Sequence, residues 1–209
     1  MDISFHGANC IRINTKKASI TIDDNLKKLG GSNVAKKDDI VLYTSESLVG
    51  DPKEPKTIIA MPGEYEISST AIIGIPARAH MDEEGKKTAT IYKIVAGELR
   101  LLVVGHIHPD LPEETLEKIG TTDILIVPVG GNGYTLDALG ALKIIKKVEP
   151  KIIIPTHFGD KDLKFEVPQA DLADALKGLS MEASETIDKL KLKSTDIPEN
   201  TKLIVLEKK

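Results

Sequence analysis

Apolar and polar positions follow two periods along the chain, close to two residues in its first half and close to 3.6 in parts of its second. Up to about residue 105 the apolar runs are short, β-branched and bounded by turn residues, at 11–13, 19–23, 40–44, 57–60, 71–75, 88–95 and 99–104. These runs predict strands, because a pleated backbone places alternate β-branched side chains on one face. Residues 93–102 predict a hairpin turning at Ala96 to Glu98, where Gly97 reaches a positive φ without a Cβ clash. Beyond residue 110 the pattern changes. Residues 112–119 predict a short helix with proline in its first turn and Gly120 at its end. A buried strand at 123–127 runs into Gly130-Gly131-Asn132-Gly133 and then into a helix at 136–148, whose apolar face is drawn by Leu139, Leu142, Ile144 and Ile145. The glycine run reads as a tight strand-to-helix turn with Thr135 as N-cap, ahead of its other reading as a phosphate cradle. Another buried strand, 152–154, ends at Pro155-Thr156-His157, and the tail predicts one or two helices between 167 and 190 and a closing strand at 202–206.

Strand, helix, strand with continuously apolar strands predicts parallel pairing in a sheet covered on its faces, hence an α/β fold. No repeat, low-complexity tract or linker divides the chain, so residues 1–209 are expected to form one domain. With 41% hydrophobic and 29% charged residues the chain can bury a full core. Its net charge of −4, with lysines and carboxylates interspersed, lacks the basic footprint of a nucleic-acid binder. No apolar run approaches the roughly 18 residues that cross a bilayer, and the lone Cys10 excludes an internal disulfide. The first residues show neither a basic start nor an apolar signal core, so a cytoplasmic protein is expected.

Five further stretches, in order, carry a resemblance: Gly63-Glu64-Tyr65, Gly74-Ile75-Pro76-Ala77 with His80 following, Leu101 to Gly105, Asp123 to Gly131, and Pro150 to His157. Together they resemble the metallo-β-lactamase superfamily, in particular its compact branch of small zinc-dependent hydrolases similar to L-ascorbate-6-phosphate lactonase. That resemblance implies a four-layer αβ/βα sandwich with a metal site at the loop ends along one edge of two packed sheets.

It also implies metal ligands, and here the chain departs from the family. Where the family carries His-x-His-x-Asp-His, this sequence has Ser45-Glu46-Ser47-Leu48-Val49-Gly50, and no histidine lies between His6 and His80. The histidine of the family's Gly-His-Ala start falls on Ala8, with His6 displaced by two positions. The bridging aspartate falls on His106, whose neutral imidazole offers one lone pair and cannot join two ions as a carboxylate does. His80 and His157 match the family's remaining histidines. The resemblance therefore predicts either no metal or a single zinc or other divalent ion on His80, His106 and His157, with His108 as a further ligand if its loop turns inward. Glu46, Asp51 and Asp160 are then candidate general bases. Ser45 and Ser47 lack the surroundings of a nucleophile, and 82–87 reads as a solvated hairpin tip.

Three functions follow: a hydrolase fold retained for binding a small molecule or a protein with its catalysis lost or altered, a mononuclear hydrolase of esters, lactones or phosphodiesters, or an oligomeric structural protein. The first is the reading the missing ligands favour.

Overall fold

Short alternating runs in the first half fold into a meander, β1 (Asp2–Gly7), β2 (Cys10–Asn14) and β3 (Ser19–Ile22), to which β4 (Ile40–Leu42) and β5 (Thr57–Ile59) add in parallel. The computed structural model describes residues 1–209. A second sheet begins with β6 (Gly63–Ile67), β7 (Thr70–Ala77), β8 (Ala89–Ala96) and β9 (Leu99–Val103), all antiparallel, and the β8–β9 hairpin turns at Gly97 with φ of 65° as expected. Beside β9 run β10 (Ile124–Pro128) and β11 (Ile152–Thr156), both parallel to it. Three short strands end the chain: β12 (Glu185–Ile187), β13 (Leu190–Lys191) and β14 (Lys202–Leu206). β13 returns to the first sheet beside β1, whereas β14 and β12 extend the second, giving the orders β13-β1-β2-β3-β4-β5 and β12-β14-β11-β10-β9-β8-β7-β6.

The helices are α1 (Glu113–Ile119), α2 (Ala138–Val148) and α3 (Leu172–Leu179). The alternation inside the buried strands sorts two cores. Ile124, Ile126, Ile152 and Ile154 face the first sheet, where they meet Ile11, Ile13, Ile20 and Ile22. Leu125, Val127 and Ile153 face the other way, onto Ala141, Ile144 and Val148 of α2 and Leu179 of α3. Each such fully buried side chain contributes about 1.5–3 kcal/mol. The outer layer over the first sheet is reduced to single-turn 3-10 helices at Leu26–Leu29 and Glu46–Leu48 with their loops. Beneath that layer Arg12 and Asp39 form a bidentate ion pair in which Thr21 joins.

Two expectations are corrected. Helix α2 is capped by Asp137, whose carboxylate accepts the Gly140 N–H at 2.7 Å, and not by Thr135. Leu139 points outward, at 69% exposure, away from the face buried through Ala141, Ile144, Ile145 and Val148. The stretch 167–190 holds one helix, α3, within the one or two expected, followed by strands. β1 and β6 were not foreseen.

Candidate functional site

The carboxyl ends of β3, β4, β9, β10 and β11 lie along one edge, where parallel strands release their chain into loops and where open α/β sheets bind ligands. The histidines gather there. His106 and His108 follow β9, His157 follows β11, and His80 follows β7. The segment carrying His80 is stitched to the one carrying His106: the His80 N–H donates to the His106 carbonyl at 2.8 Å and the His108 N–H to the Arg78 carbonyl at 2.9 Å.

His106 and His157 meet edge to face with ring centres 4.6 Å apart and planes at 88°. Tyr134, from the loop after β10, lies 5.1 Å from His106 and 5.9 Å from His157, and Phe165 packs 5.1 Å from His157 on another side. His157 sits at φ of 53°, an unusual conformation for a side-chain-bearing residue, held by its N–H on the Ala8 carbonyl at 2.7 Å and by its Nδ1 against Gln169 at 3.1 Å. Gly130 makes room for that turn, because a Cβ there would lie 2.0 Å from the His157 carbonyl oxygen. Burial pushes His157 down to about 4 and His106 well below the ordinary imidazole range, with the neighbouring histidines adding to the effect on His106. Both rings are therefore neutral at pH 7. His80 and His106 share the wall of a cavity of about 180 Å³ with Ser45, Ser47, Met81 and Tyr134, and the buried Nδ1 atoms of both histidines have no hydrogen-bond partner. His157 is not in that wall. His108 stands 6.3 Å from His80, ring centre to ring centre, and its Nδ1 accepts the Asp110 N–H at 3.2 Å.

Beside the histidines lies a second buried polar cluster. Asp23, fully buried, accepts from the Thr44 N–H and Thr44 hydroxyl, each at 2.7 Å, and from Asn9 Nδ2 at 2.9 Å; Asn9 in turn takes the Thr156 hydroxyl at 2.5 Å. Its burial raises Asp23 to about 6 despite those donors. The cluster ties the ends of β3, β4 and β11 to the β1–β2 turn and so fixes the start of the Ser45–Gly50 loop. Gly105, at φ of 58°, leaves the space that Thr44 fills, since a Cβ would come 2.4 Å from its hydroxyl. Sequence reading passed over this cluster; its one signal was a pair of carboxylates, Asp23-Asp24, ending an otherwise apolar strand.

The remaining candidates stand apart. Glu46 and Asp51 are exposed, Asp160 is tied to Lys208 at 2.7 Å, and none of the three lines the histidine cavity. His6 lies on β1 against the Ser4 hydroxyl at 3.1 Å. Gly50 is packed hard: a Cβ there would be 2.7 Å from the Asp24 carbonyl oxygen and 3.0 Å from the Tyr43 hydroxyl.

The family model of the beta-lactamase superfamily domain matches residues 2–157. The chain belongs to that superfamily. As a superfamily member it also resembles solved structures over its whole length. A Thermotoga maritima protein described as a zinc-dependent hydrolase of the metallo-β-lactamase superfamily aligns with a TM-score of 0.77 at 23% identity, over 99% of this chain and 98% of that one. Igni18, a metallo hydrolase from Ignicoccus hospitalis, gives 0.64 at 16% identity, over 99% and 94%. Among curated relatives, a metal-dependent hydrolase from Archaeoglobus fulgidus is 24% identical over 134 residues, 61% of this chain and 57% of that protein. One from Carboxydothermus hydrogenoformans is 49% identical over 43 residues, 21% and 19%. The alignments thus span less than two thirds of these curated relatives, and the solved structures at such identities establish the fold. No helix is long and apolar enough to cross a membrane.

Relatives named for metal chemistry make the donor set the test. No group of three or more His, Cys, Asp or Glu side chains comes together in a metal-holding arrangement. Position 106 carries no carboxylate to bridge two ions, and positions 45–50 supply serine hydroxyls, a buried leucine, a valine and a glycine around an outward-facing Glu46. These residues do not fit the two-metal centre that the resemblance implied.

Proposed function

We propose that this beta-lactamase-superfamily protein keeps the hydrolase scaffold as a small-molecule binding site and has lost the family's two-metal catalysis. The observation that carries this reading is the pairing of an intact loop holder with an emptied loop. Asp23 still grips Thr44, as a scaffold presenting ligands from the next six residues requires, yet those residues offer Ser45, Ser47, Val49 and Gly50 in the ligand positions. Imidazoles and hydroxyls are hydrogen-bonding groups, suited to recognising polar atoms of a ligand. With no bridging carboxylate at position 106, nothing there holds two ions about one attacking water.

A second reading is favoured by the unpartnered Nδ1 atoms of His80 and His106: a single divalent ion held by His80, His106 and His157. Elemental analysis of tag-free protein, with zinc titrated calorimetrically into the wild type and His106→Ala, separates the two. The binding-site reading expects no stoichiometric metal. One zinc per chain, lost in the variant, would replace it with the mononuclear reading and open a screen for hydrolysis.

A further inference from the structure

The histidine cavity has a neighbour. His80 also lines a second cavity of about 320 Å³, formed with Thr135, Asp137, Leu139 and Lys143 at the start of α2. Two kinds of unusual group concentrate in the walls of these adjoining spaces. Buried side-chain polar atoms without a partner occur at six places in the molecule, and three of them, His80 Nδ1, His106 Nδ1 and Thr135 Oγ1, belong to residues of these walls. Such atoms are costly to leave unmet, so they mark where a bound polar group would stabilise the protein. Large apolar side chains are exposed at four places, and two of them, Met81 at 73% and Leu139 at 69%, belong to the same walls, one on each cavity.

Charge narrows the ligand. Lys143 is paired with Asp110, Asp137 is engaged by the Gly140 N–H, and Asp82 is consumed by the N–H groups of Ala79 and Thr88 and the Thr88 hydroxyl. No unpaired ammonium or guanidinium is left in these walls to attract an anion, and both carboxylates are turned to neutral donors of their own segments. We infer that the two cavities joined at His80 form one site for a small uncharged amphiphile, its amide- or ester-like head bonded to the imidazoles and its apolar chain laid on Met81 and Leu139. This rests on the binding-site reading above and goes beyond it in naming the ligand class.

The test is an NMR chemical-shift titration with acetamide, hexanamide and hexanoate, on protein whose metal content is measured in the same sample. A buried methylene contributes about 0.8 kcal/mol, close to fourfold in affinity, so hexanamide should bind at least tenfold more tightly than acetamide and more tightly than hexanoate. Met81→Ser with Leu139→Ser should remove most of that chain-length gain. Ile58→Ser with Met61→Ser, the other two exposed apolar sites, should leave it unchanged; all four are surface positions and tolerate serine. Equal binding of the two amides, a preference for hexanoate, or equal losses in both double variants would each overturn the inference. Stoichiometric metal in the sample would overturn the binding-site reading itself, whereas metal-free protein without chain-length dependence overturns the ligand class alone.

Discussion

Two buried polar clusters lie side by side at the same sheet edge, and they differ in how completely they are satisfied. Around Asp23 the donors and acceptors meet at 2.5 to 2.9 Å: backbone N–H, hydroxyl, amide and carboxylate. Around His80, His106 and Thr135, three buried polar atoms meet nothing. A closed network of this kind positions backbone, and its removal leaves several groups stranded at once. An open one carries little of the fold's stability and is free to be completed by a ligand. The first cluster therefore serves as architecture, and the second is where the proposed ligand would bind.

The largest effect that would break this contrast is loss of the Asp23 carboxylate. Asp23→Ala strands the Thr44 N–H, the Thr44 hydroxyl and Asn9 Nδ2, and it should cost about 3–5 kcal/mol in urea unfolding; a loss below 1 kcal/mol would mean the network is dispensable. Next in size is an opposition in pH. The unfolded chain takes up protons below pH 6.5 that His157, at about 4, refuses, so its contribution to stability falls by about 3 kcal/mol as pH drops through that window. Asp23, raised to about 6, does the reverse, binding its proton more tightly when folded and adding a similar amount between pH 6 and 3.8. Urea midpoints from pH 7 to 4 should consequently fall more steeply in Asp23→Asn than in wild type and less steeply in His157→Gln; parallel curves would refute the opposition.

Gly130→Ala comes third. Its Cβ has no room beside the His157 carbonyl, and a loss of about 2–3 kcal/mol is expected, with disturbed His157 ring resonances as the local sign. Smallest is His106→Phe. It replaces a ring whose buried Nδ1 lacks a partner with an apolar one of similar shape, which should leave stability within about 1 kcal/mol of wild type. A loss of 3 kcal/mol there would show that His106 is bonded to something that belongs to the fold.

What could be read in advance follows the range of the interactions involved. Buried strands and amphipathic helices announce themselves within a few residues, and β7 to β11, α1 and α2 were legible to within two or three positions. β6 was not, because Glu64 and Glu66 interrupt its apolar pattern on an edge strand, and β1 was obscured by its His6-Gly7 end. The histidines were legible as family positions. Their convergence as a pair plus a neighbour was not, since ring packing depends on loops whose paths the sequence does not dictate. The Asp23 cluster lay beyond local reading altogether: Asp23 meets Thr44 across 21 residues, and Asn9 meets Thr156 across 147.

The packing at Gly50 limits how the loop can be rewritten. Serines at 45 and 47 and a valine at 49 could be rewritten as histidines and an aspartate, since each already carries a side chain. Position 50 is different, because any side chain there must first displace the Asp24 carbonyl oxygen, only 2.7 Å from the added atom. Backbone, unlike the end of a lysine, does not step aside cheaply. A histidine placed at position 50 would therefore need the loop regrafted together with the strand end beneath it, since a point substitution there collides with the Asp24 backbone.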